Sequence, residues 1–157
     1  LKKFIALLEN ALYAAMVSCY AQGYDLIQAT AAAEKWEINL AEVSRIWEGG
    51  CIIRAQLLNV LHKAYQKSKL KNSALLSVPG IVRLMKLYTP DLRAFVALVG
   101  ASGVSTPAFA TALFYFQDST SAVLPANLIQ GLRDYFGAHT YERIDRPGSF
   151  HTRWLEK

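Results

Sequence analysis

Nowhere in the 157 residues is there a Gly-x-Gly-x-x-Gly turn, a Walker phosphate loop, a His-Glu-x-x-His pair or a Gly-x-Ser-x-Gly elbow. These absences remove a nucleotide cradle, a zinc-protease helix and a hydrolase nucleophile from the chemistry this chain carries. No Cys-x-x-Cys occurs, and His139, Glu142 and His151 are too loosely spaced to argue a metal site, so no metal is expected. The two cysteines, Cys19 and Cys51, each lie in an apolar helical stretch and read as reduced, buried thiols, not as a disulfide. Charge is sparse, at 18% of residues against about 25% in an average soluble chain. With 53% hydrophobic residues, general disorder is excluded. The longest nearly unbroken apolar run, Ala11 to Ala21, is interrupted by Ser18 and falls short of the ~20 residues of a spanning helix. No membrane partner is expected. No secretory leader is visible, and a cytoplasmic location follows as the expectation. The chain begins at Leu1 and not at Met, which reads as a piece of a longer protein.

What charge there is leans basic. Seventeen Lys and Arg against 12 Asp and Glu leave a net +5, which favours anionic partners such as a phosphorylated metabolite or nucleic acid. The run Lys67, Lys69, Lys71 has no interleaved aromatic platform and reads as a solvated face, so no nucleic-acid partner is expected. His62 likewise reads as a surface residue, and Arg54 as a partner for a helix carboxylate.

The helical period dominates the rest. Phe4, Leu8, Ala11, Leu12, Ala15, Met16 and Cys19 recur at steps of three and four, and the pattern continues into Ala29–Ala33, predicting a helix of roughly 30 residues. Asn39 with Glu42 three residues on predicts a second helix start, and Gly49-Gly50 its stop. A third helix is expected from about Cys51 to Gln66, with Ile53, Leu57, Val60, Leu61 and Ala64 on its buried face. A loop or short helical turn covers 72–79. A fourth helix spans about Ile81 to Ala101, with Leu84, Leu87, Leu92, Phe95, Val96 and Val99 inward; Pro90 predicts a kink near Tyr88 or a division into two helices. Thr106-Pro107 opens a fifth helix that reaches about Thr120, and Pro125 a sixth that Gly137 ends. No alternating strand of convincing length appears. The expected class is all-α, a bundle of about six helices over 1–138 with an extended tail over 139–157.

That tail places Tyr141, Phe150 and Trp154 among charges around a Pro147-Gly148 turn. Aromatics of this kind need a surface to bury them, on the chain's own domain or, by preference, on a partner subunit. Just before it, Leu-Arg-Asp-Tyr-Phe-Gly-Ala-His-Thr holds Arg133 and His139. In an unbroken helix these would lie about 240° apart. If Gly137 ends the helix, His139 can fold back toward Arg133, and a planar guanidinium with an imidazolium makes a phosphate clamp. Against this, a helix C-terminus disfavours anions, and a capping and packing role is the alternative.

Three stretches carry a resemblance: FIALLENALYAAMVSCYAQG (4–23), GGCIIRAQLL (49–58) and LPANLIQGLRDYFGAHTYERIDRPGSFHTRW (124–154). Together they resemble the C-terminal part of decarboxylating 6-phosphogluconate dehydrogenase, over essentially the whole chain. The resemblance implies oxidative decarboxylation of 6-phosphogluconate to ribulose 5-phosphate with NADP as cofactor, in a homodimer whose C-terminal tail crosses into the second subunit. It also implies that Arg133 and His139 hold the substrate phosphate in the partner's active site. The family's catalytic lysine and glutamate lie upstream of any match here, so no catalytic residue is assigned in this chain, and the cofactor-binding residues are unknown. Gly131-Leu132 departs from the Ala-Gln usual in the family. The alternative is a stand-alone helical interaction module without catalysis.

Overall fold

The computed structural model describes residues 1–67 and 73–155; Lys69, Lys71 and Asn72 lie outside the described residues. Six helices account for most of the chain: α1 (Lys2–Glu34), α2 (Leu40–Ile46), α3 (Leu57–Lys67), α4 (Pro79–Ala101), α5 (Pro107–Thr120) and α6 (Asn127–Gly137). A 3-10 turn (Leu75–Ser77) precedes α4, and two short strands, β1 (Tyr141–Glu142) and β2 (Ser149–Phe150), follow α6. The class is all-α, as the periodicity predicts. The chain divides into two compact units, Leu1–Thr120 and Ser121–Lys157. This division falls ahead of α6, not after it at 138, because α6 makes its contacts with the tail residues described below.

In the first unit α1 is the spine, packed against α4 and α5. Its inward side is built from Ala11, Ala14, Ala15, Val17, Ser18 and Ala21, small residues that let neighbouring backbones approach closely. By length and composition α1 could also cross a membrane, so the expectation from the longest apolar run underestimates it. An average over the helix is insensitive to single interruptions such as Ser18. Its buried side serves the core, and polar links tie it to α4 and α5: Asn10 donates to Asp91 at 2.6 Å, and Tyr115 donates to Asp25 at 2.6 Å. Tyr24 closes the far end, its ring against Trp47 and Tyr65 and its hydroxyl 2.7 Å from Ser44 Oγ. Burial pushes its phenol up to about 12, so it stays a neutral hydrogen-bonding group.

Several boundaries differ from expectation for local reasons. Asn39 caps α2 as predicted, its side chain accepting from the Ala41 and Glu42 amides at 3.0 and 3.3 Å. Glu42 does not reach back; it pairs with Arg45 at 2.7 Å. Helix α3 starts at Leu57, not Cys51, because residues 51–54 form a turn (Arg54 N–H to Cys51 C=O, 3.1 Å) and the Tyr20 hydroxyl takes the Ile53 carbonyl. Ile53 is therefore exposed; within α3 the buried face is Leu57, Leu58, Leu61 and Tyr65, and Val60 falls off it and is exposed. Helix α4 is a single helix through Pro90 and is not divided there. Its buried stripe is Ile81, Met85, Thr89, Leu92, Phe95 and Val99, at steps of three and four; Leu87 falls off that stripe and is exposed. Pro107 opens α5 as expected, whereas Pro125 sits two residues ahead of α6, in a turn closed by the Ala126 amide on the Leu124 carbonyl at 2.8 Å.

Candidate functional site

The second unit is organised by one carboxylate. Asp134, on α6, is fully buried, and four donors converge on its two oxygens. Oδ1 accepts from the Thr140 amide at 3.1 Å and lies 2.9 Å from His151 Nδ1; Oδ2 accepts from the Thr152 amide and the Trp154 indole, both at 2.9 Å. A buried charge is tolerated only when it is hydrogen-bonded on all sides, and this one is. Burial by itself would push the carboxyl up; the Thr152 amide, the His151 ring and the Trp154 indole outweigh it and bring the group down from 3.8 to about 2. The Trp154 ring also lies against Gly131, whose added Cβ would stand 3.6 Å away, and edge-on to Tyr135. The tail is thus docked on α6 of its own chain, with β1 and β2 pairing Tyr141 with Phe150 and Glu142 with Ser149 across the Pro147-Gly148 turn.

A depressed carboxylate pKa has a definite sign. The docked tail binds fewer protons at Asp134 than the undocked one, so its stabilisation is complete above about pH 4 and is lost as pH falls from there toward 2. The Trp154 indole N–H resonance should hold its docked shift down to about pH 4 and move below it.

Where α6 ends, the chain passes through two left-handed residues, Ala138 (φ 48°) and Thr140 (φ 62°). Gly137 was expected in that role; Ala138 takes it, its amide donating to the Asp134 carbonyl at 2.9 Å. Gly137 serves a different end. A Cβ built there would fall 2.7 Å from His139 Nε2 and 2.8 Å from Cδ2, so the absence of a side chain lets the imidazole lie against the last turn of α6.

Arg133 and His139, the predicted pair, are brought together. Both line a cleft of about 370 Å³ with Gln130, Thr140, Tyr141, Glu142 and Ser149, and a second hollow of about 360 Å³ over Ile129, Leu132, Phe136 and Gly137. Both side chains belong to exposed residues. Among the described residues Arg133 makes one long hydrogen bond, Nη1 to Gln130 Oε1 at 3.5 Å, which leaves the rest of its planar fork turned to no described partner. His151, grouped with His139 and Glu142 in the sequence, is instead committed to Asp134. Among the described residues no three His, Cys, Asp or Glu side chains gather as metal ligands.

Other single residues fall elsewhere. His62 is half-buried, not solvated: its Nδ1 stands 2.7 Å from the Ala41 carbonyl, tying α3 to α2. Arg54 is exposed beside an apolar groove of about 460 Å³ lined by Met16, Cys19, Tyr20, Trp47 and Phe109. Both cysteines are free, but neither is buried, since Cys19 faces that groove and Cys51 is half-exposed.

Residues 1–154 match the family model of the 6-phosphogluconate dehydrogenase C-terminal domain. The chain belongs to that family. It is 46% identical over 155 residues to spinach 6-phosphogluconate dehydrogenase, decarboxylating 1, covering 99% of this chain and 32% of the spinach protein. The decarboxylating 6-phosphogluconate dehydrogenase of Escherichia coli is 44% identical, over 98% of this chain and 33% of its own. Among solved structures, 6-phosphogluconate dehydrogenase of Plasmodium falciparum, studied apo, with its cofactor NADP+ and with its substrate 6-phosphogluconate, superposes with a TM-score of 0.88 at 42% identity, over 98% of this chain and 33% of that one. The chain therefore spans about one third of the length of the 6-phosphogluconate dehydrogenases it matches. Relatives from Arabidopsis and rice are named as chloroplastic, so the family is not confined to one compartment.

Proposed function

We propose that this chain is the part of a decarboxylating 6-phosphogluconate dehydrogenase that grips the substrate's phosphate and joins two subunits. The whole protein then oxidises and decarboxylates 6-phosphogluconate to ribulose 5-phosphate, reducing NADP and releasing CO2. Arg133 and His139 are the phosphate ligands in this reading. The observation that carries it is their meeting in one cleft, with the guanidinium nearly uncommitted and the imidazole seated over Gly137. A planar fork beside a second ring donor suits a tetrahedral dianion.

The catalytic residues and the NADP site belong, in this reading, to the two thirds of the relatives' length that this chain does not cover. The residues here do not fit the nucleotide: no glycine-rich turn opens a helix on which a pyrophosphate could sit. No step of the hydride chemistry is therefore placed on them. Dimerisation through this unit is supported by the apolar side chains it leaves uncovered, among them Leu128, Ile129 and Phe136 on α6, Ile144 in the hairpin and Leu155 in the tail. We place the enzyme in the cytoplasm.

The test is an assay of NADP reduction with 6-phosphogluconate, using the full-length enzyme and this chain alone. Turnover is expected from the first and none from the second. Turnover by the pure chain would overturn the division of labour.

A further inference from the structure

His139 stands between two left-handed residues, and the same residue holds the backbone on both sides of it. The Ala138 amide donates to the Asp134 main-chain carbonyl at 2.9 Å, and the Thr140 amide donates to Asp134 Oδ1 at 3.1 Å. Positive φ is costly for a β-branched residue such as Thr140 and persists only where surrounding bonds over-determine it. Asp134 supplies that determination. Arg133, its neighbour in sequence, leaves α6 one residue earlier and lines the same cleft as His139.

The carboxylate is itself held by the tail. His151 shares Oδ1 with the Thr140 amide, while the Thr152 amide and the Trp154 indole occupy Oδ2. From this geometry we propose that Asp134 is a positioning residue, which makes the placement of His139 at the phosphate cleft depend on the docking of residues 151–154. The inference rests on the reading of Arg133 and His139 as phosphate ligands. Asp134 is fully buried and lines neither cleft; it works through the loop 138–140.

An amide in its place cannot reproduce the arrangement. Four donors converge on two acceptor oxygens, and asparagine offers one oxygen while turning N–H groups toward the other pair of donors. In the full-length enzyme, Asp134→Asn should raise KM for 6-phosphogluconate about tenfold, with KM for NADP unchanged. The deciding measurement is a double-mutant cycle with His139→Ala. If Asp134 acts by placing His139, adding Asp134→Asn to His139→Ala should change KM by no more than about twofold further, since the group it positions is already gone. Multiplicative effects would overturn the proposal, as would an unchanged KM in the single variant.

Arg133→Ala separates the two levels. If it raises KM while Asp134→Asn does not, the phosphate reading stands and the positioning role falls; if it leaves KM unchanged, the phosphate reading itself falls. Should Asp134→Asn fail to fold, Trp154→Phe keeps an aromatic ring in the tail but deletes the indole N–H on Oδ2, together with the Cζ2–Cη2 edge that lies against Gly131. A smaller rise in KM, again absent in the His139→Ala background, is then expected, and no rise overturns the coupling.

Discussion

Arg133→Ala in the full-length enzyme is expected to raise KM for 6-phosphogluconate about 100-fold, the worth of one or two charge-assisted hydrogen bonds. The size follows from what the guanidinium does in the free structure, which is little. Its one hydrogen bond, to Gln130, is 3.5 Å long, so removing it disturbs no network and leaves no buried group unpaired. Arg133 is exposed, and the tail is anchored to α6 by Asp134 and by the Trp154 ring against Gly131 and Tyr135, not by Arg133. Thermal unfolding should accordingly stay within a degree or two of the parent (surface substitutions away from such networks cost under about 0.5 kcal/mol). Arg133→Lys distinguishes charge from shape: the ammonium keeps the attraction but loses the two-pronged match to phosphate oxygens, and an intermediate loss of about tenfold is expected. Inorganic phosphate should compete less well with substrate in both variants. A KM unchanged in Arg133→Ala would remove the residue from the phosphate site.

How much of this was legible beforehand depends on which residues carry the pattern. The six helices follow from apolar spacing, and the long α1 follows because its small residues recur without a proline. The pairing of Arg133 with His139 was legible because a glycine between them marks a helix end. Asp134 was not: an aspartate beside an arginine on a helix reads as surface charge, and only the fold shows that the Thr140, His151, Thr152 and Trp154 donors converge on it. A signal existed in the His-Thr-x-Trp run, which brings several donors and no carboxylate of its own. The sides of an apolar stretch are harder to tell apart. Cys19 and Ile53 share their neighbours' composition, yet a groove passes over Cys19 and a turn carries Ile53 outward. The two-residue strands of the tail are too short for an alternating pattern to exist.

Gly137→Ala should separate stability from binding, because its two consequences have opposite signs. Gly137 is the last residue of α6, and it is Ala138, not Gly137, that takes the left-handed conformation. Alanine is therefore compatible with the backbone there and should stabilise the helix, by up to about 0.5–1 kcal/mol. The new methyl, however, would sit 2.7 Å from His139 Nε2, a separation that cannot persist. The neighbour in conflict is a side chain on an exposed residue, so it swings aside at small cost to the fold. His139 then leaves the position it shares with Arg133, and KM for 6-phosphogluconate should rise about tenfold, the loss of one oriented charged donor. Gly131→Ala, six residues earlier on the same helix, is the control. Its methyl would stand 3.6 Å from the Trp154 ring, an ordinary contact, so the same gain in helix stability should come with KM unchanged. If both substitutions stabilise α6 and only the one at 137 weakens substrate binding, the glycine is there for the histidine and not for the turn. Equal KM in the two variants would return Gly137 to the role of a helix terminator.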